Sequence, residues 1–448
     1  MPPPRIRRII PGMTYFRPLF AALGLSLAAA LAQSPAPVTA VRAAHALDVQ
    51  TGQLIPHAVI LIRGQRITAI GANLAIPAGA RVIDLGSLTL LPGLIDAHVH
   101  LFLHPGNETL QTVDESTPQR TIQATLAAKA DLLGGFTSVK DMGTEGAGDV
   151  ASTAVRQAIN RGQIPGPRVW TCGNAISILG GHEDAFGFNP ALHIPSNADV
   201  VQTRRQLIHT IRLQIKDGAT FIKIYETGRD RFADGIFSTP YQFTEPQLAA
   251  AVQEAARLGT FVSVHAQGEP GTLYAAQAGV ASLDHATQLS PRTIRIAIRK
   301  HIFAVPTFTV FKFFADHAPN AKSAANQYAE LAYKARQFRL QLKAGMPMAM
   351  GSDVGPFPHG TQATEFVLMV HYGMAPLEAI QAGTINAATL LRAQANLGSL
   401  TPGKYADIIA VQGNPLQDIS ALTRVKFVMK GGTIYKQPPG TQPPVSLN

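Results

Sequence analysis

The sequence predicts an α/β protein, a (β/α)8 TIM-type barrel with a small β-sandwich domain built from both chain ends. Two patterns point there. Eight short apolar runs alternate with helical stretches from about residue 92 to residue 394, and glycine-punctuated, strand-like segments occupy both flanks. A third observation places function: histidines, an aspartate and a lysine recur where the apolar runs end. The expected organisation is a leader over residues 1–32, the first part of the β domain over 33–91, the barrel over 92–394, and the rest of the β domain with a tail over 395–448.

Composition narrows the field before any motif does. Of the 448 residues, 46% are hydrophobic and 15% charged, against roughly 25% charged in an average globular chain, which excludes a disordered or solvating protein. The formal charge of +10 invites a nucleic-acid partner. Four of those charges, Arg5, Arg7, Arg8 and Arg17, sit in the first 32 residues beside no acid, ahead of an apolar run from Leu19 and the small-residue end Ala30-Leu31-Ala32. That is the layout of a secretory signal peptide, so a secreted or periplasmic protein is expected, cleaved after Ala32 or Ala40. The apolar stretch is shorter than the ~20 residues that cross a bilayer, and no stable membrane span is expected. The +6 that remains without the leader forms no dense basic run, so no nucleic-acid partner is expected either. Cys172 is the one cysteine; it lies in an apolar run and reads as a buried small hydrophobe.

After a Pro/Ala-rich linker near Ser34 to Ala40, segments 40–47, 58–63, 66–70 and 81–84 are separated by Gly52, Gly64, Gly71 and Gly79, as turns between antiparallel strands would be. Segments 406–411 and 425–435 repeat the pattern, with Gly431-Gly432 as a hairpin turn. Neither flank can bury a sheet face alone, so the two are expected to pair. Between them, strand candidates end near His98, Lys140, Cys172, Tyr225, His265, His285, Thr307 and Ser352. Thr244, with Gln247 three residues on, marks a capping box at the start of one intervening helix. A doubly wound open sheet is the rival fold, and no glycine-rich phosphate loop supports it.

His98 and His100 are two residues apart, hence on one face of a strand, where one metal ion can take both. His265, His285 and Asp353 end three later runs. Lys223 interrupts the buried run 221–225, where an ammonium without a partner would cost several kcal/mol. Singly, each histidine has a bland explanation as a satisfied core residue. Together, at equivalent strand ends, these residues make a metal centre the economical account.

They lie in the segments PGLIDAHVHL (92–101), GFTSVKDMG (135–143), GGHED (180–184), FIKIY (221–225), VHA (264–266), LDHATQL (283–289), MGSD (350–353) and LGSLTPGKYADIIAVQGNPL (397–416). Through these the sequence resembles the amidohydrolase superfamily. It looks most like the secreted, imidazolonepropionase-like branch containing Xaa-Pro dipeptidases, carboxypeptidases acting on N-acyl amino acids, and ochratoxin-hydrolysing amidases. The resemblance implies two divalent metal ions, zinc first among them. His98, His100 and Asp353 would hold the more buried ion and His265 and His285 the more exposed one, with Lys223, converted by CO2 to a carbamate, joining the two. A carbamate forms only on a neutral amine, which burial favours. The resemblance further implies a metal-bridging hydroxide that attacks an amide carbonyl, with Asp353 carrying the proton to the leaving nitrogen.

His182, in GGHED, is a candidate donor to the oxyanion or a loop-capping residue. Tyr225, Arg229, Gln267 and His359 are candidate substrate contacts, each with a packing, turn or solvated-loop role as its alternative. Carboxypeptidase-type relatives often carry a tyrosine where this chain has Gln267, which leaves Arg229 as the other partner for a substrate carboxylate. Phenylalanines between 303 and 314 would line an aromatic pocket or pack the core. The implied activity is hydrolysis of a C–N bond in a small-molecule amide or dipeptide, and homo-oligomers are frequent in the family. The enzymatic alternatives are a cyclic-amide or lactone hydrolase and a mononuclear deaminase; Lys223 counts against the deaminase. A non-catalytic scaffold would have lost ligands, and here all six positions are filled.

Overall fold

The computed structural model describes residues 37–189 and 191–439; the expected signal peptide, residues 1–32, lies outside them. Both flanks enter one mixed sheet. Strands Val38–Leu47, Leu54–Arg63, Arg66–Ala72, Arg81–Asp84 and Leu88–Pro92 join Ile408–Gln412, Phe427–Lys430 and Thr433–Lys436, and Leu88–Pro92 pairs antiparallel with Ile408–Gln412 to connect the two groups. Lys430 pairs with Thr433 across Gly431 (φ 55°) and Gly432 (φ 78°), so the expected hairpin turn puts glycine at both left-handed positions.

Period-2 alternation gives this sheet two faces. Leu91, Ile409, Val411 and Val428 pack into the main core of the molecule. Their neighbours Leu90, Ile408, Ala410 and Phe427 pack instead with Val41, Ile60, Ile62 and Ile67 in a second apolar cluster. A polar seam ties the sheet to the central region: Asp407 accepts from Arg168 Nε (3.2 Å) and from the Gly431 N–H (2.6 Å).

The central region is parallel β alternating with helices. A three-stranded sheet contains Leu94–Val99, Phe136–Asp141 and Arg168–Thr171. A six-stranded sheet contains Ala198–Val201, Ala175–Ile178, Ile222–Tyr225, Val262–Ala266, Ser282–His285 and Phe303–Val305, in that order. Hydrogen bonds continue between the two: Thr220 N–H donates to the Thr171 carbonyl at 2.7 Å. On the other side, residues 348–354 form isolated parallel bridges from Met348 to Ala304 and from Val354 to Val99. The N–H of Ala97 also reaches the Met350 carbonyl (2.9 Å), and that of Asp353 the His98 carbonyl (2.8 Å). Seven of the eight expected strands are thus regular strands, and the eighth is this bridged segment. Gly351 permits its close approach, since a Cβ there would stand 2.8 Å from the His98 Cβ.

Helices follow the strands, among them Thr117–Leu133, Asp149–Asn160, Arg204–Lys216, Glu245–Arg257, Gly271–Ala278, Pro291–Lys300 and the long Ala321–Lys343. Glu245–Arg257 opens as expected, with Gln247 Oε1 accepting from the Thr244 N–H at 2.9 Å. Cys172 is fully buried in a small apolar cluster with Met142, Phe221 and Phe261. Among the described residues no helix is long and apolar enough to cross a membrane.

Candidate active site

A compact group of polar side chains gathers at the C-terminal ends of these strands. His98 lies in Leu94–Val99 and His100 just beyond it, and their Nε2 atoms are 3.3 Å apart. Asp353 Oδ1 sits 3.1 Å from both. The His285 ring is 5.0 Å from that of His98, and the His265 ring 4.4 Å from that of His285. These four imidazoles, Asp353 and Lys223 line one cavity of about 320 Å³. Its walls are conformationally costly: Glu145 (φ 48°), His285 (φ 68°), Thr307 (φ 54°) and Asp353 (φ 63°) are left-handed without being glycine, at ~1–3 kcal/mol each. The helix Ala321–Lys343 holds one of these turns, with Lys334 donating to the His285 carbonyl and Gln341 Nε2 to the Ala286 carbonyl.

Each imidazole has an oxygen behind it. Glu145 Oε1 is 2.7 Å from His100 Nδ1, and Thr307 Oγ1 is 2.8 Å from His285 Nδ1. Asp230 Oδ2 stands 3.5 Å from His265 Nε2, and Asp284 Oδ2 stands 3.6 Å from His98 Nδ1. Such partners fix ring orientation and leave the opposite nitrogen for a ligand. Sequence reasoning missed all four. A burial argument of the kind applied to Lys223 would have found Asp284, which sits inside an apolar run beside His285.

The electrostatics favour neutral ligands at most of the site. Burial, helped by the charge of Lys223, lowers His98 to about 4, and burial, with His182 next, lowers His265 to about 3. Burial likewise takes His285 well below the usual imidazole value. Burial opposes charge on His100 too, but Glu145 and Asp353 outweigh it and raise that ring. Burial would push Asp353 up, yet the surrounding histidines hold it well below the ordinary carboxylate range. A neutral imidazole and an ionised carboxylate are the metal-binding forms. A further observation fits a divalent cation: the candidate ligand atoms of His98, His100 and Asp353 all lie within 4.8 Å of one another.

A model of the amidohydrolase family matches residues 89–435, which takes in every strand end of this site. The chain belongs to the amidohydrolase family. The ochratoxinase of Aspergillus niger is 31% identical over 427 residues, covering 86% of this chain and 84% of that protein. An imidazolonepropionase from Symbiobacterium thermophilum is 25% identical over 385 residues, covering 80% and 84%. Among solved structures, a Xaa-Pro dipeptidase with methionine bound in its active site superposes with a TM-score of 0.81 at 32% identity, covering 89% of this chain and all of that one. The chain is accordingly a hydrolase, of a superfamily whose members generally bind divalent metals.

The expected substrate contacts of this amidohydrolase divide. His182 and Tyr225 both line the cavity, with the His182 ring 4.3 Å from that of His265 and 4.7 Å from that of Tyr225. Gln267 lines it too, but its amide is engaged: Nε2 donates to Asp230 (2.7 Å) and Oε1 accepts from Thr287 (2.6 Å). Arg229 does not line it; a left-handed backbone (φ 56°) accompanies stacking of its guanidinium on Phe186 at 4.2 Å, beside a neighbouring hollow. His359 does not line it either, because its Nδ1 is taken by Asp131 Oδ1 at 2.9 Å. Of the later phenylalanines, Phe311 and Phe314 face the cavity while Phe308 is fully buried in the core. Unforeseen were the acids Glu108, Glu183 and Glu330 in the lining; burial, then Glu183 and Glu145, raises Glu108 to about 8.

Proposed function

We propose that this chain is a secreted, binuclear metal-dependent amidohydrolase that cleaves the amide bond of an N-acyl amino acid or a dipeptide. The observation that carries the reading is the convergence of His98, His100, Asp353, His265, His285 and Lys223 on one cavity, with the Nε2 atoms of His98 and His100 and Asp353 Oδ1 within 3.3 Å of one another. We take the two parallel sheets and the bridged segment 348–354 as a closed (β/α)8 barrel, and the sheet of the chain ends as a small sandwich folded about its second apolar cluster.

In this reading His98, His100 and Asp353 hold one ion and His265 and His285 the other. Nδ1 of His265 and Nε2 of His285 are the donors, since Asp230 and Thr307 face their other nitrogens. Lys223, as a carbamate, serves both. The ions, most simply zinc, supply Lewis acidity toward the amide carbonyl and a nucleophilic water at neutral pH. The residues do the rest. Asp353, ionised among the surrounding histidines, would receive the proton of the water and return it to the leaving nitrogen. His182, beside His265 and partly exposed, donates to the developing oxyanion. Phe311, Phe314 and Val310 offer an apolar wall for the substrate.

Supporting the amide assignment are the similarities to an ochratoxinase and to a Xaa-Pro dipeptidase. The test is a panel of N-acyl amino acids, Xaa-Pro dipeptides, cyclic amides and lactones, assayed with protein stripped by a chelator and reloaded with zinc. Hydrolysis that follows the metal supports the reading; turnover of cyclic amides or lactones alone replaces it.

A further inference from the structure

His265-Ala266-Gln267 and His285-Ala286-Thr287 repeat one pattern at the ends of neighbouring parallel strands, a histidine with a polar residue two positions on. Both polar residues are buried, Gln267 at 7% exposure and Thr287 at 0%. Gln267 Oε1 accepts from Thr287 Oγ1 at 2.6 Å, and its Nε2 donates to Asp230 Oδ2 at 2.7 Å. That same Asp230 oxygen stands 3.5 Å from His265 Nε2. At the other end of the chain is Lys334, buried on the helix Ala321–Lys343, whose Nζ donates to Thr287 Oγ1 at 3.1 Å and to the His285 carbonyl.

These bonds run in one sense. A lysine amine keeps at least two N–H donors whether or not it holds its extra proton, and two oxygens receive them here. Thr287 Oγ1, accepting from Lys334, turns its own hydrogen to Gln267 Oε1, and this aims the NH2 of the Gln267 amide at Asp230. One helix residue therefore reaches both histidines that the two-ion reading gives to the second ion: His285 at its left-handed turn (φ 68°), and His265 through three side chains. We propose that Gln267 and Thr287 are positioning residues for this second metal site, carrying the orientation set by Lys334 to Asp230 and so to the His265 ring. The inference rests on the two-ion reading given above. It also predicts selectivity, because the oxygens behind His100 and His98 belong to Glu145 and Asp284, which lie outside the chain. A break in the chain strands a buried donor or acceptor and frees Asp230 to turn, which loosens one site and leaves the other held.

Thr287→Val and Thr287→Ser separate positioning from packing. Valine keeps the shape and removes the hydroxyl, whereas serine keeps the hydroxyl and removes a methyl. The experiment strips full-length protein with a chelator, returns zinc against a competing chelator, and reads zinc bound per chain by elemental analysis, with a melting curve for each variant. The parent is expected to bind zinc in two steps. Thr287→Val and Gln267→Leu should each weaken the second step about tenfold and leave the first within about twofold. Thr287→Ser should stay within about threefold of the parent at both steps. If leucine at position 267 unfolds the chain, the two threonine variants decide. An unchanged second step in Thr287→Val overturns the inference, as does an equal loss at both steps. A serine variant that binds zinc more weakly than the valine variant overturns it too, since that is the order packing alone would give. A single zinc step in the parent overturns the two-ion reading, and this inference with it.

Discussion

The strand ends around the cavity and the sheet built from the chain ends obey different rules. In the sheet, left-handed backbone falls mostly on glycine, as at Gly52, Gly64, Gly86, Gly431 and Gly432, with His57 and Asn73 as exceptions. Its second core gathers apolar side chains from Val41 to Met429. At the cavity, Glu145, His285, Ala286, Thr307 and Asp353 carry the left-handed backbone, and buried polar atoms such as Ser263 Oγ lack partners. The sheet spends its sequence on stability. The cavity holds strained, desolvated polar groups that only surrounding structure and a ligand can justify.

Substitutions in the two regions should therefore separate activity from stability. Asp353→Asn should lower kcat/KM by ~10² to 10⁴ while the thermal melt stays near that of the parent, since the change removes a proton carrier and little packing. Steady-state kinetics with a matched melting curve checks this, and a variant within tenfold of the parent breaks the comparison on the cavity side. Phe427→Ala should do the reverse: a fully buried ring is lost from the sheet, costing ~3–5 kcal/mol of stability, while the folded fraction keeps its kcat. Denaturant unfolding beside an active-site titration measures both. Glu145→Gln should weaken metal binding by ~10- to 100-fold, because its carboxylate at 2.7 Å orients His100. Competition against a chelator reads that affinity.

The smallest effect expected lies on the sheet's seam. Burial, with Arg168 next, lowers Lys430 to about 8 from its ordinary 10.5, although Asp407 opposes the shift. Between those two values the unfolded chain binds more protons than the folded one, so stability should rise with pH from about 8 to 10.5 on account of this residue. Lys430→Met should flatten that slope in urea midpoints measured across the window, leaving turnover unchanged.

Much of the architecture was legible because period and punctuation carry it. Alternation and glycine turns placed most of the flanking strands within a few residues, and apolar runs placed seven central strands; Leu88–Pro92, Ala175–Ile178 and Ala198–Val201 were not anticipated. The eighth, expected as a strand ending near Ser352, is a segment held by isolated bridges: Gly351 and the left-handed Asp353 let residues 348–354 approach His98. The six candidate ligands could be read from residue type and strand-end position. Their supports could not. Asp230, Glu145 and Thr307 lie in loops or turns, and only tertiary structure brings them behind His265, His100 and His285. Arg229 and His359 were candidate substrate contacts with loop and turn roles as their alternatives; the structure places Arg229 against Phe186 and His359 against Asp131. The acids Glu108, Glu183 and Glu330 come from separate elements, and no local pattern joins them.

The most direct test of the account is the number of metal ions per folded chain, measured by elemental analysis alongside amide hydrolysis during chelation and reloading. The account predicts two ions, with activity lost on stripping and restored with them. Full amide hydrolysis by protein carrying no metal would contradict it.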